Sequence, residues 1–176
     1  PGDRENGGVF KHAAMMATVA SLKASKRVSD ARLARRLANL AFFMIDRTLP
    51  YKSLENPFVI KGNPRFCTQY NNSETCENIG PMLSGTATWL TLAVYEFLGI
   101  DVDGNEINFS PVMSEGNAEM RYTLSLSDAR LDVEVTAGDG IFRSGSQTRY
   151  FMDDKPASST IELPHDGRTH TVKIRL

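Results

Sequence analysis

The sequence lacks the features that mark several large classes of protein. It has no run of the roughly 20 uncharged apolar residues that cross a membrane, and its start does not resemble a signal peptide. Its 20 basic and 21 acidic residues are spread without long blocks of one sign, which argues against a nucleic-acid partner or an anionic membrane surface. We therefore expect a globular protein that binds a small or neutral ligand, with neither nucleic acid nor membrane as partner.

Cysteine and histidine are also scarce. The only cysteines are Cys67 and Cys76, and none of the 3 histidines lies beside them, so we expect no metal site. One disulfide between them is an alternative, but free thiols are the prediction. Two cysteines alone do not identify the cellular compartment.

The first half of the chain has helical periodicity. Apolar residues at helical spacing predict a first helix over residues 9–22, with Gly7-Gly8 leading into it. A second helix is predicted to begin at the N-cap Ser29 and to stop before Pro50.

A third helix is predicted from Thr86 to Leu98, with Gly99 ending it in a left-handed conformation. The long segment 50–85 before it is rich in Asn, Pro and Gly. Its aromatic and apolar content argues against disorder, so we interpret it as an ordered loop that forms part of a site.

After about residue 100 the pattern changes to short alternating runs separated by turn signals. Such runs predict an antiparallel β-sandwich over residues 101–176, which makes the fold class α+β. The runs cover residues 106–112, 120–128, 130–138, 140–154, 159–164 and 170–176.

The helical part, residues 1–100, is expected to be incomplete. Three predicted helices are too few to bury the apolar faces that they carry, and the chain opens without an initiator Met. We therefore expect these helices to close a larger helical domain whose earlier part precedes this chain.

The start of the third helix, Ser84-Gly85-Thr86, is suited to hold an anion. The first N–H groups of a helix lack intrahelical partners, and the helix dipole places about half a positive charge there. Gly85 permits close approach of a ligand, and the two hydroxyl groups add donors. Gly7-Gly8 opens the first helix in a similar way, with His12 one turn in as a further donor. Convergence of the two helix starts would make a phosphate site.

Each of these features also has an ordinary structural explanation. Small residues before a helix are common caps, and a single histidine such as His12 is more often a structural residue. Trp89, inside an apolar helix, fits the core better than a sugar platform. Glu5, Glu74 and Glu77 fit plain surface carboxylates.

The order of two short segments resembles a known family. ENGGVFKHAA at residues 5–14, then SGTATWL at 84–90, a Gly-ended helix and a β module resemble the C-terminal end of the inverting β-glycoside phosphorylases. These are the cellobiose and chitobiose phosphorylase family 94 of glycoside hydrolases and the related β-glucan phosphorylases. The resemblance implies that residues 1–100 are the last helices of an (α/α)6 barrel and that residues 101–176 are a jelly-roll-like C-terminal β-sandwich.

The resemblance also implies roles for individual residues. His12 matches a histidine that contacts phosphate, and Ser84, Gly85 and Thr86 match a phosphate-binding loop, where the family more often has Thr first. Glu5 matches a carboxylate that contacts sugar. The general acid Asp and a phosphate-binding Arg of the family lie upstream, so no catalytic residue is expected within this chain, and alone it should be inactive.

The implied reaction is phosphorolysis of β-glucosidic bonds of an oligosaccharide, giving a sugar 1-phosphate with inversion. Inorganic phosphate is then a substrate, and no cofactor is required. The implied partners are the oligosaccharide, phosphate and the upstream segment of the same enzyme. The resemblance is compatible with a homodimer of the whole enzyme, and we expect a cytoplasmic location.

Two alternatives remain open. One is an inverting hydrolase on the same barrel, in which Glu74 or Glu77 activates water. The other is a non-catalytic, carbohydrate-binding β-sandwich. Its candidate aromatic platforms are expected to lie in the strand core instead, namely Phe109, Tyr122, Phe142, Tyr150 and Phe151.

Overall fold

The computed structural model describes Gly2 and residues 6–51, 67–79 and 85–176. Within these ranges the chain has a mixed α+β fold of three helices and three β-sheets. The helices lie in the first part of the chain, and two of the three sheets are formed by strands that follow the last helix.

The first helix, α1 (Lys11–Arg27), begins later than predicted because β1 (Val9–Phe10) precedes it, and it also extends five residues beyond the predicted end. The β-branched and aromatic residues of β1 pair with β2 (Tyr70–Asn71) instead of joining the helix. β1 therefore separates Gly7-Gly8 from α1, and the prediction that these glycines open the helix is wrong.

The second helix, α2 (Ala31–Thr48), has Asp30 as its N-cap, so the prediction of Ser29 is wrong by one residue. The Asp30 carboxylate accepts hydrogen bonds from the backbone N–H groups of Arg32 at 2.9 Å and Leu33 at 3.0 Å. Ser and Asp are both common N-cap residues, and in this structure the Asp30 side chain makes the capping hydrogen bonds.

The helix α1 packs against both α2 and α3 (Gly85–Leu98). Small, fully buried residues of α2 allow close packing, namely Ala34, Ala38 and Ala41. The helix α3 was predicted to within one residue, and Gly99 ends it at φ 72°.

The described part of the segment between α2 and α3 is an antiparallel hairpin of β2 and β3 (Asn78–Ile79). Together with β1 it forms a three-stranded sheet in the order β1-β2-β3. The hairpin lies against the start of α1 because β1 leads directly into that helix. The rest of the predicted ordered loop, residues 52–66 and 80–84, lies outside the described residues, so its role in a site stays a prediction.

The strands after α3 form two sheets, and each of the six predicted runs contains a strand. The bounds are β4 (Ile100–Asp103), β5 (Glu106–Phe109), β6 (Glu119–Ser125), β7 (Arg130–Thr136), β8 (Arg149–Met152), β9 (Lys155–Ala157), β10 (Thr160–Glu162) and β11 (Thr169–Arg175). One sheet has the order β10-β5-β4 and the other β6-β7-β11-β8-β9. The pattern missed β4 and β9.

The larger sheet is not wholly antiparallel, which corrects the prediction. β11 pairs with β7 in parallel and with β8 in antiparallel. The chain passes through β10, in the other sheet, before it enters between β7 and β8, and this crossover sets the direction of β11.

The helix α3 meets the β part at its C-terminal end. The Val112 N–H donates to the Phe97 carbonyl at 3.0 Å, and the Tyr122 hydroxyl donates to the Leu98 carbonyl at 3.2 Å. At the other end of α3, Gly85 is exposed. The β part therefore holds α3 from behind and leaves its N-terminus accessible.

Replacing Gly99 by Ala should destabilise the fold strongly. At Gly99 a methyl group would lie 2.1 Å from the Pro111 nitrogen, and φ is also left-handed. The matched control is Gly104→Ala, because Gly104 has φ 59° but nothing within 4 Å of the added methyl. We expect a loss of about 1 kcal/mol for Gly104→Ala and at least about 3 kcal/mol for Gly99→Ala, measured by denaturant unfolding. Equal losses of stability in the two variants would contradict the close approach of Pro111 to Gly99.

Candidate functional site

The helices α1 and α3 run in the same direction, with their N-termini side by side. A methyl group placed on Gly85 would lie 3.8 Å from His12 Cβ, near the start of each helix. Near the other end, Lys26 Nζ lies 2.7 Å from Glu96 Oε1. Because both pairs join equivalent ends, the two helix dipoles point the same way.

Basic side chains contact the carbonyls at the C-terminal ends of these helices. Lys26 Nζ donates to the Glu96 carbonyl at 2.9 Å in α3. Arg143, from the β part, donates to the carbonyls of Ser25 and, at 3.1 Å, of Val28 at the end of α1. Cations are favourable there because the last carbonyls carry partial negative charge.

The N-terminal ends have no such compensation within the helices. The first turns of α1 and α3, both among the described residues, contain no acidic side chain. The N-cap of α1 is Phe10, which makes no side-chain capping bond. Two positive helix ends therefore meet at a place that favours an anion.

His12 is the second residue of α1, closer to the helix start than predicted. Its half-buried ring meets Phe10 edge-on, with centroids 5.7 Å apart and planes at 86°. Phe10 in turn stacks on Tyr70 at 5.1 Å. These two contacts support the imidazole from the hairpin side, while the Cβ of His12 lies beside Gly85.

The other predicted site residues differ in how far they are described. Gly85 is exposed and adjacent to His12, whereas Thr86 is fully buried. Ser84 and Glu5 lie outside the described residues. The structure thus brings together His12 and the start of α3, and the binding of phosphate there stays a prediction.

Sequence reasoning missed Lys11, the first residue of α1. Its Nζ donates to Asn78 Oδ1 at 3.2 Å, and burial lowers the pKa of Lys11 although the nearby Cys67 thiol acts in the opposite direction. Burial likewise raises the pKa of Cys67. A basic residue in the first turn of a helix, where the dipole disfavours cations, was the available signal.

The two cysteines are free thiols, as predicted. Cys67 is half-buried near Lys11, and Cys76 is exposed in the turn of the hairpin.

The remaining histidines lie in the β part and join loops. His170 Nδ1 lies 2.7 Å from Asp153 Oδ2 and its Nε2 lies 3.0 Å from Asp166 Oδ1. These hydrogen bonds raise the pKa of His170, with Asp153 the larger cause. His165 pairs with Asp128 at 3.0 Å. Since they connect strand ends, both histidines have a structural explanation.

Glu74, a candidate base for the hydrolase alternative, lies in an exposed turn. Its N–H donates to Asn72 Oδ1 at 2.8 Å, as in a capped turn. Glu77 is half-buried just before β3.

The aromatic residues of the β part give little support to a sugar platform. Phe109 and Phe142 are buried, as predicted. The Tyr150 hydroxyl donates to the Phe109 carbonyl at 3.2 Å, and the Arg175 guanidinium lies 5.2 Å from the Phe151 ring centroid. Trp89 is half-buried and packs against the core, as predicted.

Comparison with known proteins identifies no relative. No protein-family model matches the chain, and a search of curated proteins gives no match. In the part of the chain that the structure describes, no helix has the length and apolar character needed to span a bilayer. The same residues contain no group of three or more His, Cys, Asp or Glu side chains placed to hold a metal ion. Functional inference therefore depends on geometry and motifs.

Substitutions at Gly85 should report on its contact with His12 and Trp89. A single methyl would lie 3.7 Å from Trp89 Cδ1 and 3.8 Å from His12 Cβ, which is ordinary contact. Gly85→Ala should therefore leave the fluorescence of Trp89, the only tryptophan, unchanged. Gly85→Val adds branches that press on both side chains and should shift the emission, and because valine is a better helix former than glycine, loss of the helix would not be the cause. Identical spectra for the two variants would argue against this contact.

Proposed function

We propose that this chain is the C-terminal part of an inverting glycoside phosphorylase, which cleaves β-glucosidic bonds of oligosaccharides with inorganic phosphate. The observation that carries the proposal is the meeting of two helix N-termini, where His12 lies beside Gly85. An anion there would interact with two positive helix ends and with an imidazole. The resemblance of ENGGVFKHAA and SGTATWL to the phosphorylase family supplies the reaction.

In the proposed reaction, a phosphate oxygen attacks the anomeric carbon as the bond from that carbon to the glycosidic oxygen breaks. A carboxylic acid on the opposite face, an Asp of the upstream segment, protonates the departing oxygen. The product is a sugar 1-phosphate of inverted configuration. Phosphate takes the place of the water and general base of an inverting hydrolase.

His12, Ser84, Gly85 and Thr86 would bind the phosphate, and Glu5 would accept hydrogen bonds from sugar hydroxyls. A phosphate dianion must lose much of its hydration to reach a neutral sugar. Backbone N–H groups and helix dipoles are fixed in place, so they can replace that hydration without rearranging. No cofactor is needed for these steps.

Exposed apolar residues on the helices support a larger enzyme. Faces of helices that meet water usually carry charged residues. The largest exposed apolar side chains of α1–α3 include Met16 at 45%, Leu40 at 50%, Phe43 at 55%, Leu92 at 44% and Tyr95 at 48% exposure. We propose that these faces pack against upstream helices of an (α/α)6 barrel and that β4–β11 form the C-terminal sandwich.

Replacing His12 by Ala in the enzyme that contains this chain should lower phosphorolysis by about a hundredfold, because a donor to a developing negative centre is lost. The apparent KM for phosphate, measured at fixed sugar, should rise more than the KM for sugar. His165→Ala is the matched control, since His165 pairs with Asp128 in the β part. An unchanged KM for phosphate with full activity would make His12 a structural residue and would favour the hydrolase alternative.

A further inference from the structure

Lys11 has an unfavourable electrostatic position next to His12. It is the first residue of α1, where the helix dipole repels a cation, and it is half-buried. Among the described residues, its ammonium group is bonded to the neutral amide oxygen of Asn78 and not to a carboxylate. A cation with these neighbours is stabilised by any anion that comes close.

The amide oxygen that holds Lys11 is shared with two other donors. Thr68 Oγ1 lies 3.1 Å and Asn71 Nδ2 lies 3.0 Å from Asn78 Oδ1, and the Lys11 contact, at 3.2 Å, is the longest of the three. An amide oxygen has two lone pairs, so three donors cannot all be fully satisfied. Asn78 therefore fixes the position of the ammonium group without neutralising it.

The backbone of Lys11 is also fixed. Its N–H donates to the Gln69 carbonyl at 3.0 Å, so the hairpin holds both ends of the residue. Lys11 is the direct neighbour of His12 in the first turn of α1, so its ammonium group belongs to the same helix end as the proposed anion site.

We propose that Lys11 is a second cation of the anion site and supplies fixed positive charge to phosphate bound at His12 and Gly85. This inference rests on the proposed function. Because Lys11 is partly removed from water, its charge is screened less than that of a surface lysine. It acts as a positioning residue through the field it places on the bound anion.

The first test is calorimetric titration of inorganic phosphate into wild type, Lys11→Met and Lys11→Arg. Removal of the charge should weaken binding about tenfold, and arginine should retain most of the affinity. The matched control is Lys23→Met, because Lys23 is exposed on the same helix about 18 Å further along. Its affinity for phosphate should equal that of wild type.

The second test uses pH and does not depend on the methionine variant folding. The charge of Lys11 is present below its lowered pKa and is lost as pH rises through it. The nearby Cys67 thiol also ionises as pH rises, so both proteins in this comparison carry Cys67→Ser. The protein that keeps Lys11 should lose phosphate affinity in alkaline solution before the Lys11→Arg protein does, since arginine stays charged. His12 and Tyr70 are common to both proteins.

The outcomes separate this inference from the proposed function. Two outcomes overturn the role of Lys11 alone, provided that phosphate binding depends on His12. One is an affinity for phosphate in Lys11→Met that equals that of wild type, and the other is a pH profile that does not change in Lys11→Arg. Absence of phosphate binding by wild type overturns the proposed function and this inference together. Weaker binding in Lys11→Met with a flatter profile in Lys11→Arg supports both.

Discussion

Parallel packing of two helices places like ends of their dipoles together, which is unfavourable unless other charges compensate. At the C-terminal ends of α1 and α3, Lys26 and Arg143 donate to the last carbonyls. At the N-terminal ends the first turns carry Lys11 and His12 and, within those described turns, no acidic side chain. Among the described residues, compensating side chains therefore lie only at the C-terminal end of the helix pair, and the N-terminal end is the place where an anion would be most favourable.

The rest of the fold keeps this end in place. The β part holds the far end of α3 through the carbonyls of Phe97 and Leu98, and Gly99 makes the tight exit from the helix. The hairpin of β2 and β3 supports the near end of α1 through the Phe10 and Tyr70 rings. Since these contacts involve separate elements, the orientation of His12 depends on both the hairpin and the helix packing.

Local patterns explain which parts of the fold could be predicted. The helix α3, its terminal Gly99 and six of the strands have periodicity or turn residues within a few positions. The strand β1 could not be recognised, because two residues have no period and their partners are Tyr70 and Asn71, far along the chain. The parallel pairing of β11 with β7 depends on a crossover through another sheet, which local sequence does not record.

The candidate site could likewise be predicted only where a local pattern marks it. The helix starts suggested an anion site, and His12 and Gly85 do lie together. The contact between Lys11 and Asn78 was missed because it joins α1 to the hairpin, and local sequence does not record which residues such a contact brings together.

The most direct measurement is anomalous X-ray diffraction from crystals soaked in arsenate, which has the shape and charge of phosphate. Phosphate binding at the joined helix starts predicts an arsenic peak whose oxygens lie about 2.7–3.2 Å from the Gly85 nitrogen and a ring nitrogen of His12. An arsenic peak bound elsewhere in the protein, with none between His12 and Gly85, would contradict it.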